Sequence, residues 1–315
     1  MSIQELMERV RAEVGKVVLG QEEVVTQLLT ALLARGHVLV EGVPGVAKTL
    51  LGKSLAHCIS AGFKRVQCTP DLMPTDITGT NVFDSHTRTF RLVRGPVFTN
   101  VLLVDEVNRT PPKTQSALLQ AMQERQVTID GVDHTLEGIF FVMATQNPIE
   151  YEGTYPLPEA QLDRFLMKVS VRYPDRAAEE SVLRLHLQGK DPQDLAAAGL
   201  EKVIGFTELQ AATDELSRQT VGEEMIAYIA ELVARTRESP HTILGASPRA
   251  AVALLRCSQV RAAAQGRNFV EPDDVQDVVP AVLRHRIILK PEAEVEGLTA
   301  ERLLESVISA VPIPR

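Results

Sequence analysis

Cysteine is scarce in this chain: Cys58, Cys68 and Cys257 are the only three among 315 residues, and none lies near another as metal or redox pairs do. They read as reduced, structural residues. The seven histidines are scattered without a His-Glu-x-x-His arrangement, which speaks against a histidine-bound catalytic metal. No apolar run reaches the length of a bilayer span. The start, Met1-Ser2-Ile3-Gln4-Glu5, lacks a basic region leading into an apolar stretch, so the expectation is a cytoplasmic protein with no direct membrane insertion. Basic charge is in deficit too. With 33 Lys and Arg against 41 Asp and Glu, the net charge of −8 argues against general affinity for nucleic acid. Low-complexity tracts and short-period repeats are absent. The remainder is ordinary for a globular protein, 44 % apolar and 23 % charged, and long enough for more than one domain around a sizeable core.

Against that background one stretch organises the chain: Gly42-Val43-Pro44-Gly45-Val46-Ala47-Lys48-Thr49. An apolar run, His37–Glu41, precedes it, and Leu50-Leu51-Gly52-Lys53-Ser54-Leu55-Ala56 follows. Strand, glycine-bearing loop and helix are the setting of a phosphate-binding P-loop. Gly42 and Gly45 let the backbone curl its N–H groups toward phosphate oxygens, and the helix N-terminus adds partial positive charge. Lys48 would reach the β- and γ-phosphates, and the Thr49 hydroxyl would ligate Mg²⁺. Val43, Pro44, Val46 and Leu50 complete the candidate nucleotide-binding run. Ala47 departs from the generic pattern, since it stands where a second glycine is expected and a backbone with positive φ resists a Cβ.

Val101-Leu102-Leu103-Val104-Asp105-Glu106 is the second anchor. Four consecutive apolar residues fit a strand buried on both faces of a parallel sheet, with two acids at its carboxyl end facing the ligand crevice. Asp105 would hold the Mg²⁺ shell, and Glu106 would orient and deprotonate a water. A third buried strand, Gly138–Thr145, ends at Gln146-Asn147-Pro148, which brings Asn147 to the same edge, either as a partner of the γ-phosphate or lytic water or as a turn residue before proline.

Two helical pieces occupy residues 2–35, separated by Val17-Val18-Leu19-Gly20-Gln21. Val18 and Leu19 could wrap a purine ring; a plain helix–helix turn explains the segment equally well. Phe63–Thr69 reads as a strand and Pro70–Thr80 as a loop or broken helix. Strands near 79–83 and 89–93 make one hairpin, and the Asp130-Gly131 turn within 126–136 makes another. A helix over 113–124 follows the Pro111-Pro112 start, and a short helix at 157–165 leads into a strand, 165–171. Beyond Tyr173 strand signals become scarce. Residues 175–190, 207–218, 223–237 and 247–265 have helical spacing, and 271–283 begins with a proline and acids. The division expected is an α/β domain over 1–173 and a helical lid over 174–315.

These motifs resemble the AAA+ ATPases, and within them the MoxR group. Residues 42–49 are similar to that group's P-loop, where alanine before the lysine is common. Asp105 to Gln115 resembles its extended Walker B segment, and Ala144-Thr145-Gln146-Asn147-Pro148 its sensor 1. Glu159 to Phe165 resembles the segment carrying the arginine finger, here Arg164, and Gly245-Ala246-Ser247-Pro248-Arg249 its sensor 2. The resemblance covers about residues 10–290. It implies a P-loop NTPase core, a parallel sheet flanked by helices, followed by an all-helical lid. It implies ATP with Mg²⁺ between subunits of a homo-oligomeric ring, commonly a hexamer. Arg164 would then serve a neighbour's γ-phosphate, and Arg249 its own or a neighbour's. The hairpins at 79–93 and 126–136 would be the clade's helix 2 insert and pre-sensor 1 hairpin, near a central pore. Chaperone-like remodelling, with a partner bearing a von Willebrand factor A domain, is the function implied. The motor subunit of a metal chelatase shares most of these motifs. A nucleic-acid-dependent motor and a nucleotide-gated scaffold without turnover are more distant alternatives.

Overall fold

The computed structural model describes residues 1–148, 153–187, 191–216 and 218–314. In chain order it runs α1 (Ile3–Val14), α2 (Glu22–Leu33), β1 (Val38–Gly42), α3 (Lys48–Cys58), β2 (Phe63–Gln67), α4 (Pro74–Thr78), β3 (Gly79–Asp84), β4 (Thr89–Arg94) and β5 (Val101–Asp105). There follow α5 (Pro112–Glu124), β6 (Gln126–Ile129), β7 (Val132–Thr135), β8 (Phe141–Gln146), α6 (Glu159–Leu162) and β9 (Met167–Val171). The rest is α7 (Arg176–Leu187), α8 (Phe206–Leu216), α9 (Glu223–Glu238), β10 (Thr242–Leu244), α10 (Pro248–Ala264), α11 (Pro272–Leu283), β11 (Ile288–Leu289), α12 (Pro291–Val295) and α13 (Ala300–Ala310).

Five strands form one parallel sheet in the order β2-β5-β8-β1-β9. Every residue of β5 is buried, as the unbroken apolar run demands of a strand covered on both faces. Parallel strands all point their carboxyl ends to one edge, so the loops after β1, β5 and β8 emerge together. The two hairpins, β3–β4 and β6–β7, stand apart from this sheet as separate antiparallel pairs. Asp130 and Gly131 at the second turn both have positive φ, 49° and 79°, which matches the twist of a two-residue hairpin.

Local signals explain most element starts. At α1 the Ser2 hydroxyl accepts from the Glu5 N–H (3.1 Å) and the Glu5 carboxylate accepts from the Ser2 N–H (3.0 Å), a reciprocal cap. Pro112, Pro248 and Pro272 open α5, α10 and α11, where a missing N–H costs nothing. The third buried strand begins later than its apolar pattern suggests: β8 starts at Phe141, because Gly138 has φ +70° and turns the chain first. Of the helix expected over 175–190, residues 188–190 lie outside the described residues, as does residue 217 of the one expected over 207–218. The helical region after β9 also contains a small antiparallel pair, β10 with β11. Strands this short carry no readable period. Among the described residues no helix is long and apolar enough to cross a membrane.

His37, just before β1, fastens the sheet to α5. Its Nδ1 accepts from the Val142 N–H (3.1 Å), which leaves Nε2 protonated and donating to the Met122 carbonyl (3.0 Å). Burial pushes its pKa down from 6.5 to about 4. Between these values the unfolded chain binds a proton that the folded chain refuses, so stability falls as pH drops from 6.5 toward 4. Buried His285 is displaced in the same direction. Lowering pH from 7 to 5 is expected to remove about 2 kcal/mol through His37, read as a lower urea midpoint. A midpoint independent of pH over that range would contradict a neutral, buried His37.

Candidate active site

The loops at the carboxyl edge of the sheet enclose a cleft of about 1010 Å³. At its floor, the chain leaves β1, turns through Gly45 at φ +87°, and enters α3 from Ala47 at φ 58° and ψ 24°. The positive φ that made alanine an awkward residue here is therefore adopted, at a cost of about 1–2 kcal/mol relative to an ordinary helix entry. Its consequence is chemical. Ala47 occupies the cap position of α3 yet has no side chain to satisfy the first-turn N–H groups, and no acidic residue lies in that turn. The orphan donors and the helix dipole are left for an anion from outside. Lys48 Nζ reaches back to the Gly42 carbonyl (2.7 Å), so the ammonium sits over the same loop.

Opposite, β5 delivers Asp105 and Glu106. Thr145 on β8, fully buried, holds both: its hydroxyl donates to Asp105 Oδ1 (2.7 Å) and accepts from the Glu106 N–H (2.9 Å). Glu106 has φ 58°, so the chain turns sharply as soon as the strand ends. Its Oε2 accepts from Gln67 Nε2 (3.0 Å) and Arg109 Nη1 (3.3 Å). Asp105 Oδ2 accepts from Arg65 Nε (3.0 Å) and Nη2 (2.7 Å). Buried Asn147, one residue past β8, lines the cleft between these two walls.

Of the residues singled out in the sequence, Val18, Leu19, Pro44 to Leu50, Asp105, Glu106 and Asn147 all line this one cleft. Gly42 and Val43 do not line it; Gly42 is the buried end of β1, and Val43 packs against the core. Arg164 and Arg249 also lie off it. They belong to segments joined elsewhere: Ser247 Oγ donates to both oxygens of Asp163 (3.1 and 2.9 Å), and Arg286 Nε donates to Asp163 Oδ1 (2.7 Å). Asp163 is thus engaged by residues of the helical region, and Arg164 forms no ion pair among the described residues.

The segment between α1 and α2 closes one end of the cleft. Gln21 Nε2 donates to the Arg172 carbonyl (2.8 Å), and a Cβ added at Gly20 would come within 2.8 Å of Ala178 on α7. Val18 and Leu19 share the cleft lining with Pro174, Val182 and Leu183, an apolar set suited to a flat ring. Sequence reasoning missed this far wall, and also Lys53, Arg65, Gln67 and Thr145. Nothing in the sequence singled these residues out; in the fold Leu183 on α7 stays 64 % exposed, an apolar side chain that the core does not cover.

A cation suits the oxygen donors here. Asp105 Oδ2 already faces a guanidinium, and Thr49 lines the same cleft, so the two residues offer oxygen donors that fit Mg²⁺ bound together with phosphates.

Residues 37–167 match the ATPase family associated with various cellular activities (AAA), and residues 234–307 match the AAA lid domain. The Bacillus subtilis protein YeaC is 46 % identical over 301 residues, 96 % of this chain and 92 % of its own length. Chaperone MoxR1 of Mycobacterium tuberculosis is 39 % identical, over 98 % of this chain and 82 % of its own length. A crystal structure from Cytophaga hutchinsonii superposes with a TM-score of 0.91 at 41 % identity, covering 99 % of this chain and 96 % of that one.

Proposed function

Since the chain belongs to the AAA+ ATPases of the MoxR type, we propose that it couples ATP hydrolysis to chaperone-like remodelling of partner protein complexes, working as a ring with ATP between subunits. One observation carries the reading. Lys48, Asp105, Glu106 and Asn147 share a cleft, whereas Arg164 and Arg249 lie off it on segments joined through Ser247 and Asp163, as they would if they completed a neighbour's site.

In this reading the uncapped first turn of α3 and Lys48 cradle the phosphates, while Val18, Leu19 and α7 grip the base. Mg²⁺, held by Thr49 and Asp105 with the phosphates, supplies charge neutralisation when bound. Glu106 accepts the proton of the attacking water, and Asn147 orients that water or the γ-phosphate. Arg164 of one subunit neutralises charge developing on the next subunit's γ-phosphate. Arg249 acts in trans beside it, because Ser247 ties its segment to Asp163. The β3–β4 and β6–β7 hairpins face the pore of the ring and act on the client. They are linked by Asn81 Nδ2 donating to Asp130 Oδ2 (2.9 Å), which favours their moving together. The client partner would be one that carries a von Willebrand factor A domain, and the location cytoplasmic.

A shared active site makes turnover depend on assembly. The ATPase rate per subunit is expected to rise with protein concentration and then saturate, in step with the oligomer seen by light scattering. A rate per subunit that stays constant down to the dissociated monomer would overturn the shared site.

A further inference from the structure

Asp105 has both carboxylate oxygens engaged, and the two partners differ in kind. Thr145, which takes Oδ1, is fully buried behind the sheet edge. Arg65, which takes Oδ2 through two nitrogens, lines the cleft itself. Strand geometry explains how it gets there. In the parallel register of β2 with β5, Gln67 lies beside Asp105 and Arg65 beside Leu103. Residues two apart share a face, so Arg65 and Gln67 both lean over the end of β5. The long guanidinium stem climbs one step along the strand to reach the carboxylate. Arg65 Nη2 also donates to Gln67 Oε1 (2.5 Å), and Gln67 Nε2 donates onward to Glu106. A continuous chain, Asp105–Arg65–Gln67–Glu106, thus bridges the two acids.

We propose that Arg65 is the resident counter-cation of Asp105, and that a divalent metal arriving with nucleotide must displace its guanidinium from Oδ2. The inference rests on the reading of Asp105 as the metal-side carboxylate. An exposed ion pair is ordinarily worth little, and the Arg65 side chain is 46 % exposed. Its importance comes instead from position, since it holds the Asp105 oxygen that Thr145 does not take, and it does so from the cleft wall. The two N–H bonds from Arg65 already take up the lone pairs of Oδ2, so a metal at that oxygen competes with the guanidinium and repels it. The apparent metal affinity is therefore lowered by the fraction of subunits in which the latch is closed. Arg65 is a positioning residue here, and its departure removes the partner that orients the Gln67 amide toward Glu106.

The test titrates Mg²⁺ against binding of a fluorescent ADP, N-methylanthraniloyl-ADP, with no turnover involved. Arg65→Met is expected to reach half-maximal tightening at about three- to tenfold lower free Mg²⁺ than wild type, the range for losing a half-exposed charge-assisted pair. Arg65→Lys, which keeps charge but loses the fork, is expected to shift less. In an Asp105→Asn background Arg65→Met should add no further shift. A wild-type titration for Arg65→Met, a requirement for more Mg²⁺, or an equal shift in the Asp105→Asn background would each overturn the latch. If Asp105→Asn alone leaves the Mg²⁺ response unaltered, the assignment of Asp105 fails, and the latch with it. That outcome is distinguishable because it appears without touching Arg65.

Discussion

Glu106→Gln is expected to bind ATP as wild type does while losing turnover by about 10²- to 10⁴-fold, the range for removing a general base. The substitution is close to isosteric, and the amide can keep its place between Gln67 and Arg109, so the cleft should survive it. What disappears is the ability to take a proton. Glu106 is held at φ 58° by a sharp turn whose N–H is tied to Thr145, which fixes the point from which its carboxylate reaches into the cleft. Equilibrium nucleotide binding and a steady-state phosphate-release assay measure the two halves separately. Unchanged turnover would remove Glu106 from the role of base. The same variant with ATP present is the natural bait for trapping a client.

Arg164→Ala is expected to lower hydrolysis by about 10³-fold or more, the scale of a missing arginine finger. The loss should be recoverable by mixing. Glu106→Gln subunits retain Arg164, and Arg164→Ala subunits retain Glu106, so a random mixture of two inactive proteins regains up to about a quarter of its interfaces. Recovery on that scale requires that one active site draw on two subunits. No recovery in rings shown to contain both variants would leave Arg164 without a role in trans. A local role is poorly supported by the surroundings, because Asp163 is taken by Ser247 and Arg286.

How much of this was legible beforehand depended on the range of the signal. The unbroken apolar run before Asp105 announced a doubly covered strand, and Gly45 with Lys48 announced the loop, because both are local patterns. The convergence of Lys48, Asp105 and Asn147 followed from topology, since parallel strands share a carboxyl edge. Residues acting across strands were not legible. Arg65 matters through its register beside β5, and Thr145 through two side-chain bonds, neither of which has a spacing rule. The far wall on α7 was invisible for the same reason: helical spacing announces a helix and not the cleft that it lines. The alanine at position 47 was the reverse case: a local rule against a Cβ at positive φ held as energetics, and the chain adopts that backbone nonetheless.

The buried guanidinium of Arg286 has a mechanical corollary. It donates to five oxygen contacts, the Asp163 carboxylate and carbonyl and the carbonyls of Phe165, Leu166 and Val282, while its neighbours Arg284 and His285 fasten to Ser170 and Phe165. Prising the α10–α13 block off β9 would strand a desolvated charge, a penalty of about 3–5 kcal/mol. A penalty of that size makes opening of the joint rare, so β9 and the helices behind it are expected to travel as a single lever. In the ring proposed above, force born at one nucleotide would then have little slack to dissipate in before it reached the next subunit.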